Sequence, residues 1–230
     1  MTRPSAWEAF QKAVAESAVD VRVLDGDEVG RRRCVKQMGL TSQSMLGAVV
    51  SNSGGFVADG GWVRVLGGGA NGLPDIGRVN GFPGAVDPRR PPAARLIVGY
   101  DVLGGVFALD FGDPAAAGPL GIPEAISYFA PDALQWEPLE LPYSTWVFWL
   151  LSGQLELFYK RFRWDGWREE IAGLEPDEGI ATYPHLWTVV AYKNPAGVTR
   201  SPVPLRQLLD FERDFAQRRG SPDPGPLGDV

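Results

Sequence analysis

The chain has 230 residues, with 22 Lys+Arg against 28 Asp+Glu and a formal net charge of −6. A chain of that length needs no metal or disulfide staple to fold, and its single cysteine, Cys34, excludes an intrachain disulfide and a cysteine-rich zinc site. With no apolar run near the roughly 18 residues of a membrane span, no signal-like N-terminus and no basic stripe, a soluble cytoplasmic protein is expected, with no membrane and no nucleic-acid partner.

Ser5-Ala6-Trp7-Glu8 is a capping box, and Trp7, Phe10 and Val14 follow at helical spacing, predicting a first helix to about Ala18. Asp25 and Glu28 repeat the cap, with Leu24 and Val29 placed for a hydrophobic staple, and Gly39 suits a left-handed stop. Cys34 falls on the apolar side of that second helix, so its thiol is expected in the core, while Arg31-Arg32-Arg33 reads as a solvated face. Gly47-Ala48-Val49-Val50 then reads as a short strand. Phe56–Asp59 and Trp62–Leu66 form a hairpin around Gly60-Gly61, since paired glycines supply the positive φ angles of a tight turn. Gly67–Pro92 has little periodicity and is expected to be loosely ordered. Its Gly67–Gly72 stretch fits G-x-G-x-x-G, but no helix follows to hold a pyrophosphate, so a mobile loop is expected and no cofactor is called for.

A second hairpin pairs Leu96–Asp101 with Val106–Phe111 around Gly104-Gly105, and a third pairs Ala125–Ala130 with Leu134–Pro138 around Pro131-Asp132. Hairpins in series imply an α+β fold: a twisted, mainly antiparallel sheet packed against helices. Helical spacing returns from Ser144 to about Arg161, with Trp149 among the charges of its outer arc. A shorter helix is expected over Asp165–Leu174. A last one runs from about Pro204 to Arg218, with Leu205, Leu208, Leu209, Phe211 and Phe215 inward. Residues 1–219 are expected to form one domain. Residues 220–230 carry too few apolar groups to offset their ordering entropy and are expected to be a flexible tail.

The chemistry-bearing motifs are sparse. His185, the only histidine, lies between Pro184 and Leu186-Trp187 and reads as a packing residue bonded through one ring nitrogen. Asp59, Asp101, Asp110, Asp113 and Asp132 fall at strand ends or turns, where aspartates are commonly solvated or accept backbone N–H bonds. No metal-ligand spacing occurs. Six of the eight tryptophans lie between Tyr128 and Tyr192. Rigid aromatic side chains of this kind fill cores and also anchor protein contacts. The expected contact face is Trp149, Trp164, Asp165 and Trp167, with Asp101 and Asp113 at the sheet end. A small-ligand or hydrolytic site using carboxylates or His185, beside the Gly67–Gly72 loop, is one alternative, and a structural or housekeeping protein with no single partner is the other.

Two resemblances bear on this. The strings Gly54-Gly55-Phe56, Asp59-Gly60-Gly61-Trp62, Asp101-Val102-Leu103-Gly104-Gly105-Val106-Phe107, Tyr128-Phe129-Ala130-Pro131-Asp132, Trp136-Glu137, Tyr143-Ser144 and Trp164…Trp167 closely resemble a bacterial family known as domain of unknown function 2625. That family brings no activity or catalytic residue with it. More distantly, the order from Arg95 to Ser152 resembles the core of the SMI1/KNR4, or SUKH, superfamily. The resemblance implies an α+β domain that binds another protein, and many bacterial members of that superfamily are immunity proteins that neutralise a cognate toxin. A net negative charge suits a cationic partner such as a basic toxin. Oligomeric state is left open by the sequence.

Overall fold

A computed structural model describes residues 4–82, 95–110, 125–220 and 222–230. The Ser5 hydroxyl accepts the Glu8 N–H while the Glu8 carboxylate accepts the Ser5 N–H, so the expected capping box opens α1 (Ala6–Ala15). A short strand not anticipated from the sequence follows, β1 (Val21–Leu24). The cap of α2 (Glu28–Met38) is Asp27, whose carboxylate accepts the Gly30 N–H, and not Asp25; Val29 is 73 % exposed, so the expected staple does not form. Gly39 stops α2 at φ 63, as expected.

Gly47–Val50 is helical, not extended. It lies inside α3 (Met45–Asn52), capped by the Ser44 hydroxyl and buried at every position from Met45 to Val50. A helix apolar all round carries no 3.6-residue stripe, so its sequence looks like a buried strand. The first hairpin then appears as predicted, β2 (Gly55–Ala58) and β3 (Val63–Leu66). Gly67–Phe82 is ordered against expectation. Asp75 caps the single turn α4 (Ile76–Val79), and the Asn80 side chain bonds the Ile97 backbone through both its carbonyl and its amide. The glycines of this stretch serve close packing. A side chain on Gly67 would strike Gly55, and one on Gly68 would strike Arg31 of α2. The rest of the expected loose segment, residues 83–92, lies outside the described residues.

β4 (Arg95–Asp101), β5 (Val106–Asp110), β6 (Ala125–Ala130) and β7 (Gln135–Pro142) complete a seven-stranded sheet, antiparallel throughout, in sequence order β1 to β7. This is the expected α+β architecture. Register sorts its side chains into rows. Val23, Phe56, Val65, Gly99, Phe107 and Tyr128 lie opposite one another and share a face. On that face Phe10 of α1 meets Phe56, and Trp146 of α5 (Tyr143–Leu151) meets Phe107 and fills the space that Gly99 leaves. The other row, Arg22, Val57, Arg64, Tyr100, Val106, Phe129 and Trp136, faces the opposite way. There Tyr100 and Trp136 donate to the Leu227 and Pro224 carbonyls of the C-terminal segment. The terminal residues expected to be flexible are thus docked on the sheet, with Leu227 buried and the Asp229 N–H bonded to the Val79 carbonyl.

The long helix expected over Ser144–Arg161 is broken. α5 ends at Leu151, Gly153 takes φ 83, and one further turn forms as α6 (Leu155–Phe158). α7 is only Trp167–Ile171. β8 (Glu178–Tyr183) and β9 (Thr199–Pro204), joined through α8 (Val189–Lys193), form a separate two-stranded sheet that the sequence did not suggest. α9 (Leu205–Arg218) matches the expected last helix, yet its inward stripe is Leu205, Leu208, Leu209, Glu212 and Ala216, with Phe211 left 43 % exposed.

Candidate functional site

A groove of about 940 Å³ runs along the free edge of β1. Strand residues Val21, Arg22 and Val23 form one side, with Val57 behind them. Gly153 and Glu156 close it near α6, and Ile171, Ala172 and Leu174 close it at α7. Its end is the β2–β3 turn, where Asp59, Gly60 and Gly61 all take positive φ, at 55°, 66° and 100°. Both glycines face open space, so the turn needs them for backbone conformation and not for room.

Two arginines brace this end. Asp59, expected to be solvated, is buried and forms an ion pair with the buried Arg163; Arg168, largely exposed, lies 3.6 Å from the second Asp59 oxygen. Arg163 also lies 4.4 Å from the ring centre of Trp167 and 5.1 Å from that of Trp62, and Arg168 sits 4.2 Å from that of Trp167. Trp62, fully buried, is the hub: Trp167 meets it edge-on at 4.9 Å, Tyr159 at 5.3 Å and Trp164 at 5.7 Å. The groove wall is therefore rigid.

Of the expected contact residues, Trp164 and Trp167 do come together, at Trp62. Trp167 is only 7 % exposed, however, so it supports the wall and cannot itself present a surface. Trp164 is half-buried under the Arg200 guanidinium, 4.3 Å from its ring centre. Asp165 is exposed on the intervening turn. Trp149 is half-buried and reaches the same cluster through Phe158, which it meets edge-on at 5.2 Å, and Tyr159. Asp113 lies outside the described residues.

Asp101 is corrected outright. Instead of standing solvated at the sheet end, it is fully buried and accepts from the Leu103 and Gly105 N–H groups and from the Tyr128 and Tyr159 hydroxyls, at 2.6–2.9 Å. Burial raises its pKa, opposed by those four hydrogen bonds. Glu212 of α9 is buried against the same turn, and a side chain on Gly104 would collide with its carboxyl. Burial, then the nearby Asp101, holds Glu212 well above the usual carboxylate range, and one of its oxygens has no hydrogen-bond partner among the described residues. A second cavity, about 20 Å³ beside Leu103 and Thr182, has room for little more than one water. This carboxyl pair locks the β4–β5 turn to α9 and Tyr159; it does not face the groove.

His185 packs as expected, stacked on Trp187 at 4.6 Å and beside Phe211 at 4.9 Å, but its ring nitrogens have no hydrogen-bond partner among the described residues. Cys34 is in the core as expected. Its thiol donates to Asp75, and burial pushes its pKa up to about 11. Among the described residues no group of acidic, histidine or cysteine side chains is arranged to hold a metal ion, and no helix is long and apolar enough to cross a membrane.

The sequence model of the family described as "Protein of unknown function DUF2625" matches residues 1–208, and the chain belongs to that family. It is similar to the uncharacterised protein YbfG of Escherichia coli (strain K12), 33 % identical over 219 residues that cover 92 % of each chain. An uncharacterised protein of Haemophilus influenzae is 28 % identical over 182 residues, 79 % of this chain and 78 % of that one.

Proposed function

We propose that this member of the DUF2625 family is a protein-binding module whose recognition face is the groove along β1. One observation carries the reading: a strand edge left open beside a rigid, mixed apolar and charged wall, with about 940 Å³ of space between them. An extended segment laid against such an edge gains main-chain hydrogen bonds from the strand and side-chain contacts from the wall. The accessible members of the expected face, Trp149, Trp164 and Asp165, extend the surface past the groove, while Trp167 braces the wall from beneath. The net charge of −6 favours a cationic protein partner. A basic toxin neutralised by this chain, docked on the Trp149, Trp164 and Asp165 face beyond the groove, is the most concrete form of that partner.

Val21→Pro tests the reading. The Val21 N–H points away from β2, so proline there removes a donor from the free edge without breaking the sheet. Affinity capture from the native host should recover a partner with the wild-type chain and lose it with the variant, while the thermal midpoints agree. Equal capture by both would remove the groove from consideration. For the toxin form, co-expression should rescue cells from the product of an adjacent toxin gene, and failure against every such neighbour would eliminate it.

A further inference from the structure

The two ends of the seven-stranded sheet are finished differently. The outer edge of β7 carries Pro138 and Pro142, exposed Glu137 and Glu140, a register break opposite Ser127 and a positive φ of 56° at Glu140. Those are devices that stop a sheet from recruiting another strand. β1 has no proline, no register break and no positive φ; of these devices it shares only exposed charges, at Asp20 and Arg22.

Its backbone is also correctly disposed. The Asp20 carbonyl accepts the Asp59 N–H at 2.7 Å, so residues 20, 22 and 24 turn their backbone groups toward β2. By the alternation of an antiparallel ladder, Val21 and Val23 turn theirs outward. Among the described residues neither valine has another backbone partner.

Side chains beside the edge then specify what it takes. Asp20 and Arg22 are exposed, and among the described residues neither has an ion pair or side-chain hydrogen bond. Residues directly opposite in an antiparallel pair share a face about 5 Å apart. A complementary strand therefore needs an acid opposite Arg22, a base opposite Asp20 and apolar residues between and beyond. Read along the incoming chain, that is apolar, acid, apolar, base, apolar. Val19-Asp20-Val21-Arg22-Val23 has that order.

We infer that the occupant of the groove is β1 of a second copy of this chain, paired antiparallel about a twofold axis at Val21. Each Arg22 then meets the other copy's Asp20, each Val23 meets the other copy's Val19, and the two Val21 residues exchange their N–H···O bonds. The Ser17 hydroxyl already bonds both the N–H and the carbonyl of Val19, so the ladder is anchored at Val21 and its outer rungs require that hydroxyl to rotate away. The sheet becomes continuous across both copies. This identification rests on the groove being a recognition site.

Sedimentation equilibrium on the full chain tests it by charge reversal. Wild type should shift from monomer to twice that mass as concentration rises. Arg22→Asp or Asp20→Arg sets like charges opposite each other at both contacts and should weaken the dimer by about tenfold or more. Mixing the two variants in equal amounts pairs opposite charges again and should restore a heterodimer, and the D20R/R22D double variant should dimerise like wild type. Both side chains are exposed and unpaired, so circular dichroism should be unchanged in all variants. A wild-type chain that stays monomeric, as it would if the groove held a different protein, overturns the self-pairing. Single variants that dimerise as tightly as wild type overturn it too. In either case the Val21→Pro capture experiment still decides the groove reading separately.

Discussion

Glu212→Gln removes a titratable proton from the core while keeping the volume of the side chain. In the unfolded chain this carboxyl ionises near pH 4.3. In the folded protein, burial followed by the proximity of Asp101 raises its pKa well above 4.5. Between those two values the native state holds one proton more than the unfolded state. Unfolding free energy therefore falls as pH rises, by about 1.4 kcal/mol per unit from this group alone. Below the unfolded value both states are protonated and the term vanishes. Through that window wild type loses stability that the uncharged glutamine variant retains. Asp101, also raised by burial, is present in both proteins, so the difference reports Glu212 together with its coupling to Asp101. Unfolding by guanidinium at half-unit steps from pH 4.5 to 7.5 measures the effect. The two proteins should be within about 0.5 kcal/mol at the acid end, and the variant should gain steadily above it. Parallel pH profiles would show that Glu212 is ionised in the native state, and that the account of the α9 contact is wrong.

Three further outcomes are expected. In Gly105→Ala the new methyl would collide with the Asp101 carboxylate and the Tyr128 hydroxyl, so a loss of at least ~2 kcal/mol is expected in denaturant unfolding. Trp167→Ala empties the space between Trp62 and two arginines and should cost ~3–5 kcal/mol, whereas the half-buried Trp149→Ala should cost distinctly less; equal losses would contradict the packing. Deleting residues 220–230 exposes the Leu227 pocket and removes the bonds from Tyr100 and Trp136, which should lower the thermal midpoint by roughly 5–15 °C.

The hairpins were legible because their turns are: Gly60-Gly61, Gly104-Gly105 and Pro131-Asp132 punctuate apolar runs at two-residue period. The Ser5 cap and the stop at Gly39 were legible for the same local reason. What failed needed tertiary information. Nothing local distinguishes Asp25 from Asp27 as a cap, and the break between α5 and α6 is visible only as a glycine, Gly153, in an otherwise helical stretch. The candidate site was half legible. The Trp164–Trp167 turn does back the wall, but its burial depends on Trp62, about 100 positions earlier in the sequence. Glu212 left a signal that could have been used: it lies four residues after Leu208 and four before Ala216, on the stripe that faces inward. β1 left none, since four residues with an arginine among them carry too little pattern to be recognised as a strand.

The weakest element in the sequence is also the one on which the functional argument turns, and the two facts share a cause. A strand buried on both edges is held by its neighbours and reads as apolar; β4 and β5 are of that kind. A strand meant to accept a partner must stay short, half-polar and unpaired in the isolated chain, because a longer apolar edge would recruit any passing strand. In the proposed pairing Asp20 and Arg22 would supply the selectivity that so short a strand lacks: a base brought opposite Arg22 would meet repulsion instead of attraction. The wall opposite is built to the contrary specification. Trp62, Trp167, Arg163 and Asp59 hold one another in fixed contact. A strand bound there would order little beyond itself, and that saving in conformational entropy would favour so short an edge.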